Sequence, residues 1–349
     1  MKLILLSGVA ALFIAGTAQA QNITLTHEAG SAGGASDIAA KNLAEVAAAG
    51  KLATIQVQAG KTLTKSMLQV AQGKTDIAAS PFLLKFLMAR GLGPYSGLGK
   101  EKGKVLGNSL RLLYPYHIAT FFLISFQSTG IDSFAKLKGK TIHNGPPRGG
   151  ALISARQIIQ LSAGYKEGRD YTGKQIAWGQ ANSIFLDRSV DAALRPGTNP
   201  SAFMPVFMAA GKLNLISVPK AKFEGKGWTK YKNAPGNVAQ VFPVSELAHY
   251  GPKVRVISDD AMFRTIANAA GDMVHKNMDK KLAKALTAAF IKSLPDLYRK
   301  VPFARNSQFG NISDKGMGIC KAGIQFHPGA VEAWAEAGKP VPKCALPPS

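Results

Sequence analysis

The chain has 349 residues, 46% of them hydrophobic and 18% charged, with 36 glycines, 19 prolines and two cysteines. This composition builds packed α/β-sized domains and excludes a disordered, collagen-like or cysteine-rich scaffold. The 43 Lys+Arg against 20 Asp+Glu give a formal charge of +23, but the lysines are scattered without an aromatic platform or recognition helix, which argues against a nucleic-acid surface. Three readings of the charge stay open: steering of an anionic ligand, residence at an anionic membrane surface, or a general compositional habit.

In chain order, Lys2, the apolar run LILLSGVAALFIAG and Ala18-Gln19-Ala20 have the form of a secretory signal cleaved after Ala20. The run is too short for a membrane span, and no later stretch reaches the roughly 18–20 apolar residues that spanning needs. The mature chain is therefore expected to start at Gln21 and to work outside the cytoplasm, in a periplasm. Residues 23–27 read as a strand, GSAGGASD as a glycine-rich loop, and a helix capped by Ser36 or Asp37 is expected to run to about Ala48. ATIQVQAG is a second strand and LTKSMLQVAQG a helix; DIAAS is a third strand and FLLKFLMAR a helix. GLGPYSGLGKEKGKVLGNS, rich in Gly and Lys, reads as a loop before the strand LRLLYPY.

HIATFFLISF is more continuously apolar than a half-exposed strand needs, and is expected to cross into a second lobe. SFAKLKGK reads as a short helix, and TIHNGPPRGGALISARQIIQ, starting at Thr141, then repeats the strand, glycine loop and helix that began at Thr24. The helix ISARQIIQLSAG, a strand near QIAWG, the helix NSIFLDR, the strand VDAAL, the loop RPGTNPS, the helix AFMPVFMAAG and the strand LNLISV follow. KFEGKGWTKYKNAPGN reads as irregular, and residues 260–275 as a second crossing. KKLAKALTAAFIKSLPDLYRK is a strongly amphipathic helix expected to bend or stop at Pro295.

The offset from Gly33 to Gly150 is 117; from Asp76 to Asp191, and from Pro81 to Pro196, it is 115. Spacing kept across separate elements points to two similarly built α/β lobes facing each other across a central cleft. Each lobe would place a glycine-rich loop and a helix N-terminus at that cleft, a setting suited to a small anion.

The loops match neither the dinucleotide fingerprint nor a Walker loop; Gly60-Lys61-Thr62 resembles the end of a Walker loop but lacks its first glycine. Ser31, Gly33 and Gly34 stand at the first helix start, with Ser36 and Asp37 read as capping residues. In the second copy Arg148 and Gly149 stand at the equivalent place, and Arg195, Thr198 and Asn199 follow a strand on the same edge. Arg148 and Arg195 are each either a bidentate partner for a carboxylate or a surface arginine. His27 and His143 end the two repeated strands, as ligand contacts or as satisfied strand-end histidines. No H-E-x-x-H, H-x-H or G-x-S-x-G pattern occurs and the acids are dispersed, so no catalytic set, metal site or cofactor is expected. Cys320 and Cys344 form an isolated pair in an oxidising compartment, which reads as a disulfide.

Several ordered motifs give the mature chain a resemblance. They are the exported Gly-Ser-x-Gly-Gly start, Val-Gln-Ala-Gly at 57–60, GKTDIAASP at 73–81, LYPYH at 113–117, IDSFAKLKGKTIHNGPPRGG at 131–150, DRSVDAAL followed by PGTNPS, and FHPGAVEAWAEAGKP near the end. The chain resembles the TAXI family, the periplasmic solute receptors of TRAP transporters. The resemblance implies a two-lobe periplasmic binding protein fold with two chain crossings, capture of a small organic anion such as a glutamate-like carboxylate, and delivery to a membrane permease. It implies no enzyme activity and a monomer. Lobe I would comprise residues 21–116 and 276–349 and lobe II residues 127–257, with crossings at 117–126 and 258–275. The expected ligand-binding residues are Ser31, Gly33, Gly34, Lys61, Thr62 and Ser80 from the first lobe, and Arg148, Gly149, Arg195, Thr198 and Asn199 from the second. The family's Gly-Ser-Gly-Thr is Arg148-Gly149-Gly150-Ala151 here, which loses two hydroxyls and gains a guanidinium. The same fold also serves binding proteins of ABC importers for sulfonates or nitrate, and occasionally an enzyme.

Overall fold

The computed structural model describes residues 23–348, so the signal expected at residues 1–20 lies outside them. Strands β1 (Thr24–Glu28), β2 (Thr54–Gln58) and β3 (Ile77–Pro81) alternate with helices α1 (Ala35–Ala49) and α2 (Leu63–Ala71). Ala35, Ala39, Leu43 and Ala47 recur every fourth residue on the buried face of α1, where small side chains let the helix lie close to the sheet. α3 (Phe82–Met88) and α4 (Gly99–Ser109) lead into β4 (Leu110–Phe126). Then come β5 (Thr141–His143), α5 (Gly150–Ala163), β6 (Thr172–Lys174), β7 (Ala192–Gly197), β8 (Leu213–Ile216), β9 (Asn237–Pro243), β10 (Val254–Ile257) and β11 (Met262–His275).

The sheet order β2-β1-β3-β11-β4-β7-β5-β6 displays the internal repeat. β1 lies parallel between β2 and β3, and β5 lies parallel between β6 and β7. Each trio is completed by a long antiparallel strand, β11 beside β3 and β4 beside β7. One hydrogen bond recurs in both copies. Asp76 Oδ2 accepts from the Thr26 N–H and Asp191 Oδ2 from the Thr141 N–H, each at 2.8 Å. The constant spacing in the sequence therefore reflects two equivalent acids that bind the equivalent backbone positions Thr26 of β1 and Thr141 of β5.

β4 and β11 run through both halves of the molecule. They are buried over most of their length on both faces, which is why they read as continuous apolar runs. Their pairing shifts register where Asn268 faces Ala119 and Ala269 faces His117, leaving Ile118 as a bulge. A bulge bends and twists the strand. On one side of it lies a core built from residues between Leu25 and Tyr116 and between Ala269 and Ala345. On the other lie two clusters built from residues between Phe121 and Ile266. The fold is thus α/β with two lobes, joined by two crossings and separated by a cleft. Among the described residues no helix is long and apolar enough to cross a membrane.

The segment expected as a glycine-rich loop, residues 91–109, is instead a 3₁₀ turn (Gly93–Leu98) followed by α4. Gly103 and Gly107, one helical turn apart, face the end of α3: a Cβ added at Gly107 would lie 2.7 Å from Ala89 Cβ, and one at Gly103 would strike the Met88 carbonyl. Close helix approach, not chain breaking, explains these glycines. KFEGKGWTKYKNAPGN, expected to be irregular, holds two short helices, Lys220–Glu224 and Lys226–Lys232, around buried Trp228. The helix Lys280–Lys300 continues through Pro295, which is exposed, while Phe290, Leu294 and Leu297 hold both halves to the core. Cys320 and Cys344 form a disulfide that ties residues 319–322 to the C-terminal segment.

Candidate functional site

Both glycine loops end at the cleft, and some of their backbone donors are already engaged by neighbouring groups. The Gly34 N–H bonds to the Ser31 carbonyl and the Gly149 N–H to the Pro146 carbonyl, each at 3.1 Å. Ser36 and Asp37, expected as caps, take another role. α1 begins at Ala35, with Gly34 at the N-cap and no side-chain cap. Ser36 Oγ accepts from the Gly30 N–H and Asp37 Oδ2 from the Gly33 N–H, so both side chains brace the loop from behind.

Between the lobes lie two adjoining chambers. The smaller, of about 90 Å³, has walls of Leu63, Leu83, Leu84, Ile118, Ala119, Phe121 and Ala151, with Ser31, Ser36, Thr62 and Asn268 as its polar members. The larger, of about 270 Å³, is lined by Arg195, Asn182, Thr198, Ser201, Trp178 and Phe203. Ser31, Gly34, Trp178, Pro196 and Gly197 line both chambers and join them.

Arg195 dominates the electrostatics. Its side chain comes from β7 and the residue is only 4% exposed. Nη1 donates to Asn182 Oδ1 at 2.8 Å, while buried Nε has no partner. The guanidinium lies 4.0 Å from the centre of the Phe203 ring, and no carboxylate among the described residues is paired with it. Burial lowers its pKa from 12.5 to about 9. It remains cationic at neutral pH, with the water lost on burial only partly replaced by protein groups. Behind it His143 is fully buried, edge-on to Trp178, with the Ile176 backbone beside its ring. Burial, and then the charge of Arg195, hold it neutral with a pKa near 4.

Of the residues expected at the ligand, Ser31, Gly33, Gly34, Thr62, Gly149, Arg195 and Thr198 line one or both chambers. Lys61, Ser80, Arg148 and Asn199 do not. Ser80 is fully buried in β3 and donates to the Ala78 carbonyl. Arg148 is exposed, with φ at 58°, and only its carbonyl is engaged, by Thr64 Oγ1 at 3.0 Å. Asn199 offers its carbonyl to Asn306 Nδ2 at 2.8 Å. His27 is also away from the cleft: its Nε2 stands 3.1 Å from Asp272 Oδ2, and that carboxyl group accepts from the Tyr114 and Tyr116 hydroxyls at 2.6 Å each.

The sequence reading missed Trp178, Asn182, Phe203 and the apolar wall. Trp178 belongs to a 3₁₀ turn, not the strand expected near QIAWG, since β6 ends at Lys174. The apolar residues carry no signal that separates a cleft wall from a core. The bonds Thr64–Arg148 and Asn306–Asn199 span the lobes, and a Cβ on Gly33 would sit 2.8 Å from Ala202 Cβ across the cleft. These contacts describe a closed arrangement. Among the described residues no Asp, Glu or His lines either chamber, and no cluster of three or more His, Cys, Asp or Glu is placed to hold a metal.

The profile of the NMT1-like family matches residues 28–338, nearly all of both lobes. The chain belongs to the NMT1-like family. Among solved structures, this NMT1-like chain is similar to a TRAP periplasmic solute-binding protein from Ralstonia eutropha H16 with bound (S)-2-acetolactate, at 12% identity over 91% of this chain and 86% of that one, with a TM-score of 0.47. It is similar to another from Sulfitobacter sp. NAS-14.1 with bound β-D-galacturonate, at 11% identity over 90% and 94% of the two chains, with a TM-score of 0.48. It is also similar to the periplasmic aliphatic sulphonate binding protein SsuA from Escherichia coli, at 11% identity over 82% and 79%, with a TM-score of 0.40.

Proposed function

We propose that this NMT1-like chain is the periplasmic solute-binding subunit of a TRAP transporter of the TAXI type, which captures a small organic anion between its lobes and hands it to a membrane permease. The observation that carries this reading is Arg195, a buried guanidinium facing an interlobe chamber without an acidic partner. A buried cation of this kind is costly until an anion joins it, and a bidentate carboxylate or sulfonate supplies the missing bonds. The TAXI assignment is supported by the ordered motifs from Gly30 to Pro340, and closure by the bulge at Ile118, which lies where the chain crosses between lobes.

A thermal-shift and calorimetric screen of small carboxylates and sulfonates on the mature protein tests the receptor role. At least one anion should stabilise the protein, by about 2.7 kcal/mol at 100 times its Kd. Stabilisation by neutral or cationic solutes only would reject an anion as the solute. Co-purification with a TRAP permease, rather than an ABC permease, tests the transporter type.

A further inference from the structure

We infer that the solute is a monoanion with an apolar body, its charged head against Arg195 in the larger chamber and its hydrocarbon part in the smaller one. The inference rests on the reading of the cleft as a solute site and narrows it.

The charge inventory of the lining carries the first half. Among the described residues, Arg195 is the single ionisable residue lining either chamber. Lys61 is outside the lining and Arg148 is exposed. A dicarboxylate would bring a second buried negative charge with no second cation. An amino acid would bring an ammonium group with no carboxylate to receive it. An unpaired charge enclosed between closed lobes is the least tolerated of buried groups. A glutamate-like solute therefore does not fit this lining, although the overall resemblance implies one.

The smaller chamber carries the second half. Its walls come from both lobes and from the crossing strand, chiefly Leu83, Leu84, Ile118, Phe121 and Ala151. The polar groups there are mostly turned to the protein. Asn268 donates to Asn237 Oδ1 at 2.9 Å and accepts from Ser154 Oγ at 3.2 Å, and Ser36 Oγ already receives the Gly30 N–H. Ser31, at the junction with the larger chamber, and Thr62 are its remaining polar side chains. Such a wall rewards apolar area removed from water and offers little to a hydroxylated or charged tail. Short alkyl, branched or aryl monocarboxylates share this shape with alkanesulfonates, and both heads present oxyanions to a guanidinium.

The test is isothermal titration of the mature protein with propanoate, butanoate, pentanoate and hexanoate, alongside hexane-1-sulfonate, glutarate, L-glutamate and hexan-1-ol. Affinity should rise about fourfold per methylene along the carboxylate series. Hexanoate or hexane-1-sulfonate should bind at least tenfold tighter than glutarate and L-glutamate, and the tighter of the two identifies the head group. Ala119→Phe, which fills the smaller chamber, should flatten the series; if that variant fails to fold, the wild-type series decides alone. Glutarate or L-glutamate binding as tightly as hexanoate would overturn the apolar body and leave the anion-receptor reading standing. Hexan-1-ol binding as tightly as hexanoate would overturn the role of the head group. Failure of every anion at millimolar concentration would overturn the receptor reading and this inference with it.

Discussion

Replacing Arg195 by methionine separates a ligand anchor from a structural arginine, because the two roles have opposite signs in the unliganded protein. A pKa lowered from 12.5 to about 9 corresponds to about 5 kcal/mol of lost solvation for the charged form. The Phe203 stack, about 0.5–2 kcal/mol, and the bond to Asn182, about 1.5–3 kcal/mol, offset part of this. Methionine keeps most of the volume, removes the buried charge, and leaves Asn182, which is only half-buried, able to rehydrate. Arg195→Met should therefore leave the apo protein within about 1 kcal/mol of the wild type, or more stable, in urea unfolding. Loss of a charged hydrogen-bond pair to the ligand, about 1.5–3 kcal/mol, should weaken binding by about 10- to 150-fold. Calorimetry with the best anion from the screen measures the second effect. A variant that is destabilised by more than about 2 kcal/mol yet binds normally would refute the reasoning, since Arg195 would then serve the fold.

Three further outcomes are expected. Gly33→Val places a branched side chain at φ 71° against Ala202, so it should block lobe closure; ligand-induced compaction in small-angle scattering should be lost while each lobe stays folded. Cys320→Ser/Cys344→Ser opens a crosslink of sequence separation 24 and should cost about 3 kcal/mol of stability without changing affinity, because the bridge lies in the tail. His143 is held neutral to a pKa of about 4, whereas an unfolded chain protonates it near its ordinary 6.5. The unfolded state therefore binds the proton first as pH falls, so stability is full above about pH 6.5 and declines towards pH 4, by up to about 3 kcal/mol from this group. The His143→Gln variant should show a correspondingly flatter stability profile between those pH values.

The repeat was legible in the sequence because the acids and glycines that mark it do local work. Asp76 and Asp191 each hold a strand N–H 50 residues away, so their spacing survives as a pattern in the text. The crossings were legible because a strand buried on both faces needs an unbroken apolar run, as in β4. Arg195 and Thr198 could be placed beside the cleft because a strand's end fixes where the following loop emerges. Arg148 could not, because its left-handed backbone turns the side chain to solvent and presents the carbonyl to Thr64 instead.

Gly103 and Gly107 show the same limit from the other side: a glycine that breaks a chain and one that lets two helices touch are identical in sequence. The cleft wall is the largest such case. Leu84, Ile118 and Phe121 have the apolarity of core residues, and Asn268 that of an ordinary buried amide. The sequence by itself establishes periodicity and, through the spacing of its landmarks, the two-lobe repeat. Which apolar side chains face a chamber, and which cation is left there without a counter-charge, depends on distant segments meeting across the cleft, and only the tertiary structure decides that.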